Sequence, residues 1–239
     1  MRTLLQLAAA IALTGATALH AQITNPDKLV APPPRNPADH RLIPTDDNLQ
    51  WLWSFTKPEP NGRPIDLRLD ARFQAMLTRE FPQPQALWGP DAAHPPLATI
   101  IPLFLSDHGV VTAERNRYIT IDGCVPSFCP AHGMLWFDLG TTRPLAVFVA
   151  VNWDAQGHTT DEASADYNLW LFPNRILDPD ELPLALTESI AHWDARLATA
   201  HRLVPHITHA IIVQPGGQPA ALNPSLAGAN TIAPQPATP

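Results

Sequence analysis

Residues 117–138 read Arg117-Tyr118-Ile119-Thr120-Ile121-Asp122-Gly123-Cys124-Val125-Pro126-Ser127-Phe128-Cys129-Pro130-Ala131-His132-Gly133-Met134-Leu135-Trp136-Phe137-Asp138. Two runs rich in β-branched and aromatic residues, which favour strands, flank a short segment bounded by two cysteines. Pro126 suits the second position of a tight turn, because its ring fixes the backbone angle that such a turn needs. The stretch therefore predicts a β-hairpin whose rigid tip, Val125 to Phe128, projects from a sheet.

Further strands are predicted on both sides of this hairpin. Short runs of β-forming residues that are separated by turn residues are typical of antiparallel sheets. The predicted strand segments are Ala98 to Leu105, Tyr118 to Ile121, Met134 to Leu139, Leu145 to Val151 and Tyr167 to Phe172, with a last strand over Ile207 to Val213.

Amphipathic helices are predicted before and after these strands. Apolar residues recur every three or four positions in two segments, which is the spacing of one helix face. The first set is Leu69, Phe73, Met76, Leu77 and Phe81, and the second is Leu186, Ile190, Trp193 and Leu197. A segment from Leu49 to Phe55 fits either a short helix or an edge strand. The order of helices and strands along the chain predicts an α+β fold.

Both ends of the chain differ in composition from its middle. Residues 1–21 have a charged start, an apolar run and small residues before a cleavage site after Ala21, as in a secretory signal peptide. The apolar run is shorter than the ~18 residues of a membrane span. Six prolines in residues 22–44 and six more in residues 214–239 predict a proline-rich linker and a disordered Pro/Ala-rich tail. Residues 45–213 then form the single α+β domain, and the protein is expected to be periplasmic or secreted.

The charge balance narrows the class of partner. The chain has 15 Lys and Arg against 22 Asp and Glu, a formal net charge of −7. Nucleic acids and anionic membranes attract basic surfaces. We therefore expect neither a nucleic acid nor an anionic membrane surface as the partner. No second apolar stretch is long enough to span a bilayer, so no membrane span is expected either.

Cys124 and Cys129 are the only cysteines of the chain. In an exported protein thiols are normally oxidised, so the sequence predicts that the two form a disulfide. A zinc site with His132 is the competing interpretation, but structural zinc needs four ligands. The predicted bridge closes a loop of about six residues and contributes only ~2 kcal/mol in a chain-entropy estimate, so its main effect is on shape.

The cysteine loop resembles that of the inhibitor of vertebrate lysozyme (Ivy) family, in which a strand, a loop of the form C-K-P-H-D-C and an apolar second strand follow one another. Ala71 to Met76, Leu87-Trp88-Gly89 and Leu169 to Asn174 are similar to the family's early helix, tryptophan turn and late strand. The resemblance covers roughly residues 66–175. It implies an antiparallel sheet of about five strands packed against helices. It also implies a periplasmic protein that inserts the loop into the active-site cleft of a lysozyme, and some such proteins form homodimers.

The loop of this chain departs from the family's pattern at its most important position. Val125, Pro126, Ser127 and Phe128 stand where the family has lysine, proline, histidine and aspartate. A serine hydroxyl can donate one hydrogen bond but offers no positive charge to a pair of carboxylates. The resemblance therefore predicts a protein-binding loop whose partner is either an envelope protein or an exogenous lysozyme-like enzyme, with apolar Val125 and Phe128 exposed as anchors.

Two other classes of function are compatible with the sequence. In the first, the hairpin is only structural and the tails make the protein an envelope interaction or spacer module. In the second, a secreted hydrolase uses Asp138 or Glu114 with His108 or His132 as general acid and base. No residue pattern singles out a catalytic group, a cofactor or a metal. His206 and His209, three positions apart in a predicted strand, are expected on opposite faces.

Overall fold

A mostly antiparallel sheet forms the centre of the protein. The structure, a computed structural model, describes residues 49–58, 63–64, 67–84, 94–106, 109–141, 143–154, 165–201 and 206–231. The strands are β1 (Lys57–Pro58), β2 (Arg63–Pro64), β3 (Val110–Glu114), β4 (Tyr118–Val125), β5 (Phe128–Asp138), β6 (Leu145–Trp153), β7 (Asp166–Pro173), β8 (His206–Val213) and β9 (Pro219–Leu222). The helices are α1 (Ala71–Glu80), α2 (Leu97–Phe104) and α3 (Leu184–His201), with short 3-10 helices at Gln50–Phe55 and Leu67–Leu69.

The strands follow one another across the sheet in chain order. Each strand from β3 to β6 pairs antiparallel with the strand that follows it, while β1 and β2 both pair with the outer side of β3. α3 then crosses the sheet, so β8 runs parallel to β7, and β9 returns antiparallel to β8. The α+β class is confirmed. Of the described strands, seven have four or more residues, where the sequence predicted about five.

One predicted strand is a helix. Residues 98–105 were expected to be extended because Thr99, Ile100 and Ile101 are β-branched, yet α2 covers Leu97–Phe104. Its buried residues include Leu97, Ile101 and Phe104, which lie on one helical face. The apolar residues recur with the period of a helix, and this face makes apolar contacts. Together these effects outweigh the β preference of Thr99, Ile100 and Ile101.

The predicted tail also needs correction, because part of it belongs to the sheet. A turn with Gly217 at φ 83 reverses the chain after β8, and Gln214 N donates to Gln218 O at 3.0 Å. β9 follows, and Ala227 and Ala229 beyond it are buried. Small alanine side chains allow this segment to pack closely although it lacks strong strand formers. Residues 1–48 and 232–239 lie outside the described residues, as do Trp88 and His108.

Helices cover both faces of the sheet. On one face, α1, α2 and the 3-10 helix at Gln50–Phe55 pack on alternate strand residues such as Ile119, Phe137 and Phe148. On the other, α3 packs on Trp136, Val149 and their neighbours. Because strand side chains alternate between faces, the near-continuous apolar runs of β5 and β6 are buried on both sides. Among the described residues, no helix is long and apolar enough to cross a membrane.

Candidate functional site

The predicted tip forms the end of the β4–β5 hairpin. Val125 pairs with Phe128, so Pro126 and Ser127 make a two-residue turn. Ser127 has φ 62, the left-handed region that a type II turn requires at its third position and that usually holds glycine. A serine in this region stores about 1 kcal/mol or more of backbone strain, which the surrounding hairpin must offset.

The disulfide spans a break in the hairpin ladder. Cys124 pairs with His132 and the next residue, Val125, pairs with Phe128, so three residues of β5 bulge out between these two pairs. The Cys124–Cys129 disulfide, with Cα atoms 4.9 Å apart, crosses this bulge and confirms the predicted bond. It supplies the lateral connection between the strands where the backbone hydrogen bonds are interrupted.

The two apolar residues of the tip differ in their surroundings. Phe128 is 44% exposed, as expected, and its ring stacks on that of Trp153 at 6.3 Å between centroids and 6° between planes. Trp153 contacts Tyr167 in turn at 6.4 Å, so an aromatic row crosses β5, β6 and β7. Val125 is only partly exposed, because it packs against the apolar cluster on the α1–α2 face. Of the two residues predicted to be exposed, Phe128 is exposed and Val125 is partly exposed.

Asp122 connects the base of the hairpin to its neighbours. Its Oδ1 accepts a hydrogen bond from the backbone N–H of Val110 at 3.0 Å. Its Oδ2 accepts from Nη2 and Nε of Arg196 on α3 at 3.0 and 3.3 Å. Because Asp122 is 8% exposed, the ion pair is partly shielded from water, and it links the base of the hairpin to α3.

The candidate acid–base residues of a hydrolase occupy separate places. His132 is fully buried and its ring meets the edge of Trp193 at 6.2 Å. Asp138 lies six residues further along β5, about 20 Å away at the rise of a strand. Arg117 donates to both oxygens of Asp138, at 2.8 and 2.7 Å. The structure therefore does not bring these two groups together, and His108 lies outside the described residues.

Glu114 belongs to a buried polar chain that the sequence did not indicate. The Ser189 hydroxyl of α3 donates to Oε2 of Glu114 and accepts from Nε1 of Trp136 at 3.0 Å. Ser189 is 1% exposed and Glu114 is 6% exposed. Ser189 therefore links α3 to the sheet through two hydrogen bonds. Its only sequence signal is its position on the apolar face of the helix, three residues after Leu186.

The two histidines of β8, predicted on opposite faces of the strand, lie on the same face. Asp166 pairs with His206 and Asn168 with His209, so an extra residue, Thr208, bulges between them and both histidines share one face. His206 Nδ1 lies 3.0 Å from Oδ1 of Asp166. Within the described residues, no three side chains that could ligate a metal converge.

Comparison with protein-family models, with curated proteins and with solved structures finds no match for this chain. The resemblance of its cysteine loop to the Ivy family therefore stays a prediction.

Proposed function

We propose that the chain is an exported, Ivy-like protein-binding module, which inserts the tip of the β4–β5 hairpin into a cleft of a lysozyme-like enzyme. The observation that carries this proposal is the exposed ring of Phe128 at the end of a disulfide-bridged turn. An exposed aromatic side chain on a rigid projection has the character of an interface anchor.

The tip is ordered before it meets a partner, and this supports binding by insertion. The turn at Pro126 and Ser127, the disulfide and the stacking on Trp153 each restrict the position of Phe128. Immobilising a flexible loop at an interface costs free energy, which a preformed loop avoids. The disulfide also supports an oxidising compartment, and the net charge of −7 is complementary to a basic enzyme.

The chemistry at the end of the tip differs from that of the resembled family. Ser127 donates at most a single uncharged hydrogen bond to an acidic active site, so apolar contact by Phe128 supplies most of the affinity. A shallow contact of this kind predicts weaker inhibition than a loop that carries a cation.

The test is a calorimetric titration of the protein into an animal-type lysozyme, with wall-lysis activity followed in parallel. Phe128→Ala should weaken binding at least about tenfold, the usual effect of removing an interface anchor. Ser127→His should strengthen inhibition, because an imidazolium would face the enzyme's carboxylates.

Leu69→Ser is the matched control, since it removes a side chain that is 91% exposed elsewhere on the surface. Binding that is unchanged by Phe128→Ala would show that the tip is not the interface. Absence of heat and of inhibition for both the native protein and Ser127→His would refute a lysozyme as the partner.

A further inference from the structure

The side chain that supports Phe128 belongs to the neighbouring strand β6 and not to the hairpin. Trp153, half-buried at the end of that strand, lies against the Phe128 ring at 6.3 Å between centroids and 6° between planes. One face of the Phe128 ring is therefore covered within the protein, while 44% of the residue stays exposed. The position of this ring depends on β6 as well as on the hairpin.

Trp153 is held in turn by the core of the domain. It pairs with Tyr167 on β7, whose fully buried ring contacts the indole at 6.4 Å. The backbone N–H of Asp154 donates to the carbonyl oxygen of Asp166 at 2.9 Å, so the two strands stay paired beyond Trp153. A side chain on a paired strand is placed more precisely than one on a loop. A chain of ring contacts thus connects the buried core to the tip of the hairpin.

The rings of Phe128 and Trp153 form one partly exposed surface, which we call the aromatic ledge. Phe128 pairs with Val125, so within the hairpin only Pro126 and Ser127 extend beyond the ledge. A partner that receives this two-residue turn in a cleft therefore meets the ledge at the rim of that cleft. Tryptophan is among the residues that most often dominate the affinity of protein interfaces.

We propose that the aromatic ledge binds the partner as one unit, in which Trp153 positions Phe128 and itself contacts the rim of the partner's cleft. This inference rests on the proposed function, since it takes the partner to be an enzyme whose cleft receives the turn. The cleft that fits is shallow and has an apolar rim, because a short turn enters it while two flat rings rest outside. A deep, narrow pocket does not fit, because Trp153 on a third strand stops the hairpin from entering further.

The test extends the calorimetric titration into an animal-type lysozyme to variants of the ledge. Trp153→Ala should weaken binding at least about tenfold, as Phe128→Ala should. In the Phe128→Ala background the same change should weaken binding by less than about threefold, because side chains that act as a unit are not additive. Trp153→Phe keeps a flat ring against Phe128 and should recover most of the lost affinity.

Trp51→Ala is the matched control, because Trp51 is also a half-buried tryptophan but lies far from the tip. It follows Gln50, whose side-chain amide donates to the carbonyl oxygen of Leu139, just past the opposite end of β5. Proton NMR of the free protein tests the positioning role without a partner. The ring protons of Phe128 should move towards the shifts of an exposed phenylalanine in Trp153→Ala and stay in place in Trp51→Ala.

The outcomes separate the ledge from the proposed function. Binding that is weakened by Phe128→Ala but not by Trp153→Ala would overturn the ledge and leave the hairpin as the interface. A tenfold loss from Trp153→Ala in both backgrounds, an equal loss from Trp51→Ala, or unmoved ring protons of Phe128 would also overturn the ledge. A native protein that does not bind the lysozyme would refute the proposed partner, and this inference with it.

Discussion

The two faces of the sheet are built by different means. The face under α1 and α2 is almost wholly apolar, and a fully buried ring, that of Phe148, contacts the rings of Phe104 and Phe172 at 5.8 and 6.0 Å. The face under α3 mixes apolar residues with buried polar ones such as Ser189 and Asp194. Apolar contact resists unfolding but tolerates sliding, whereas paired polar groups define one position of α3 on the sheet.

The apolar face should lose the most stability when its centre is emptied. Phe148→Ala removes a fully buried ring and leaves a cavity, which costs about 3–5 kcal/mol in the free energy of unfolding. Urea denaturation measures this loss, and Phe148→Leu, which keeps most of the volume, should lose less than half as much. Similar losses for the two variants would mean that the site collapses around the cavity.

The polar face should respond to the loss of one hydroxyl group. Ser189→Ala leaves Nε1 of Trp136 and Oε2 of Glu114 without the oxygen that joins them, at an expected cost of about 2–3 kcal/mol. Thr187→Ala is the control on the same helix, because within the described part of the chain that hydroxyl bonds only the carbonyl of Leu184. Equal stabilities of the two variants would contradict a role for Ser189 in positioning α3.

A glycine allows α2 to approach the apolar face. A Cβ on Gly133 would lie 2.7 Å from Cβ of Phe104 and 3.0 Å from Cε2 of Phe148. Gly133→Ala should therefore displace α2 and cost about 1–3 kcal/mol of stability, measured by thermal or urea unfolding. Gly216→Ala, whose new methyl meets only the flexible side chain of Gln218, should change stability by much less.

The smallest expected effect is at the start of α1. The Asp70 carboxylate accepts from the backbone N–H of Arg72 at 2.8 Å, and Asp70→Ala should cost about 1 kcal/mol. Asp70→Asn should retain most of this cap. The side-chain hydrogen bond from Arg72 lowers the pKa of Asp70, so the contribution of the cap is present above about pH 4 and is lost as the pH falls through the lowered pKa. Urea denaturation of both variants at pH 7 and pH 3 measures this.

Periodic apolar residues made much of the fold predictable. The strands around Leu135, Phe148 and Leu171 and the helices around Phe73 and Ile190 lie where their spacing placed them. α2 was mistaken for a strand because the β-branched residues Thr99, Ile100 and Ile101 also fit a strand, whereas the packing of α2 against Gly133 involves a residue distant in the sequence. Local preference carries no information about such distant contacts.

The sequence predicted the turn and the disulfide of the candidate site, but not how its side chains pack. Proline and two cysteines indicated the turn and the disulfide. The β-bulge beside Cys124, the partial burial of Val125 and the stacking of Phe128 on Trp153 depend on register and on neighbouring elements. The same reason explains the histidines of β8, since one extra residue in a strand reverses the face of every later side chain.

The placement of the disulfide divides the hairpin into two parts that respond differently to the redox state of the surroundings. Beyond the bulge the two strands are joined by one covalent bond, one residue pair and a single turn, and the tip packs on its neighbours through Val125 and Phe128, whereas from His132 onward the strands form a regular ladder inside the core. A reducing agent would loosen the tip and leave the domain folded. The shape of the tip, unlike that of the domain, therefore depends on the compartment in which the protein resides.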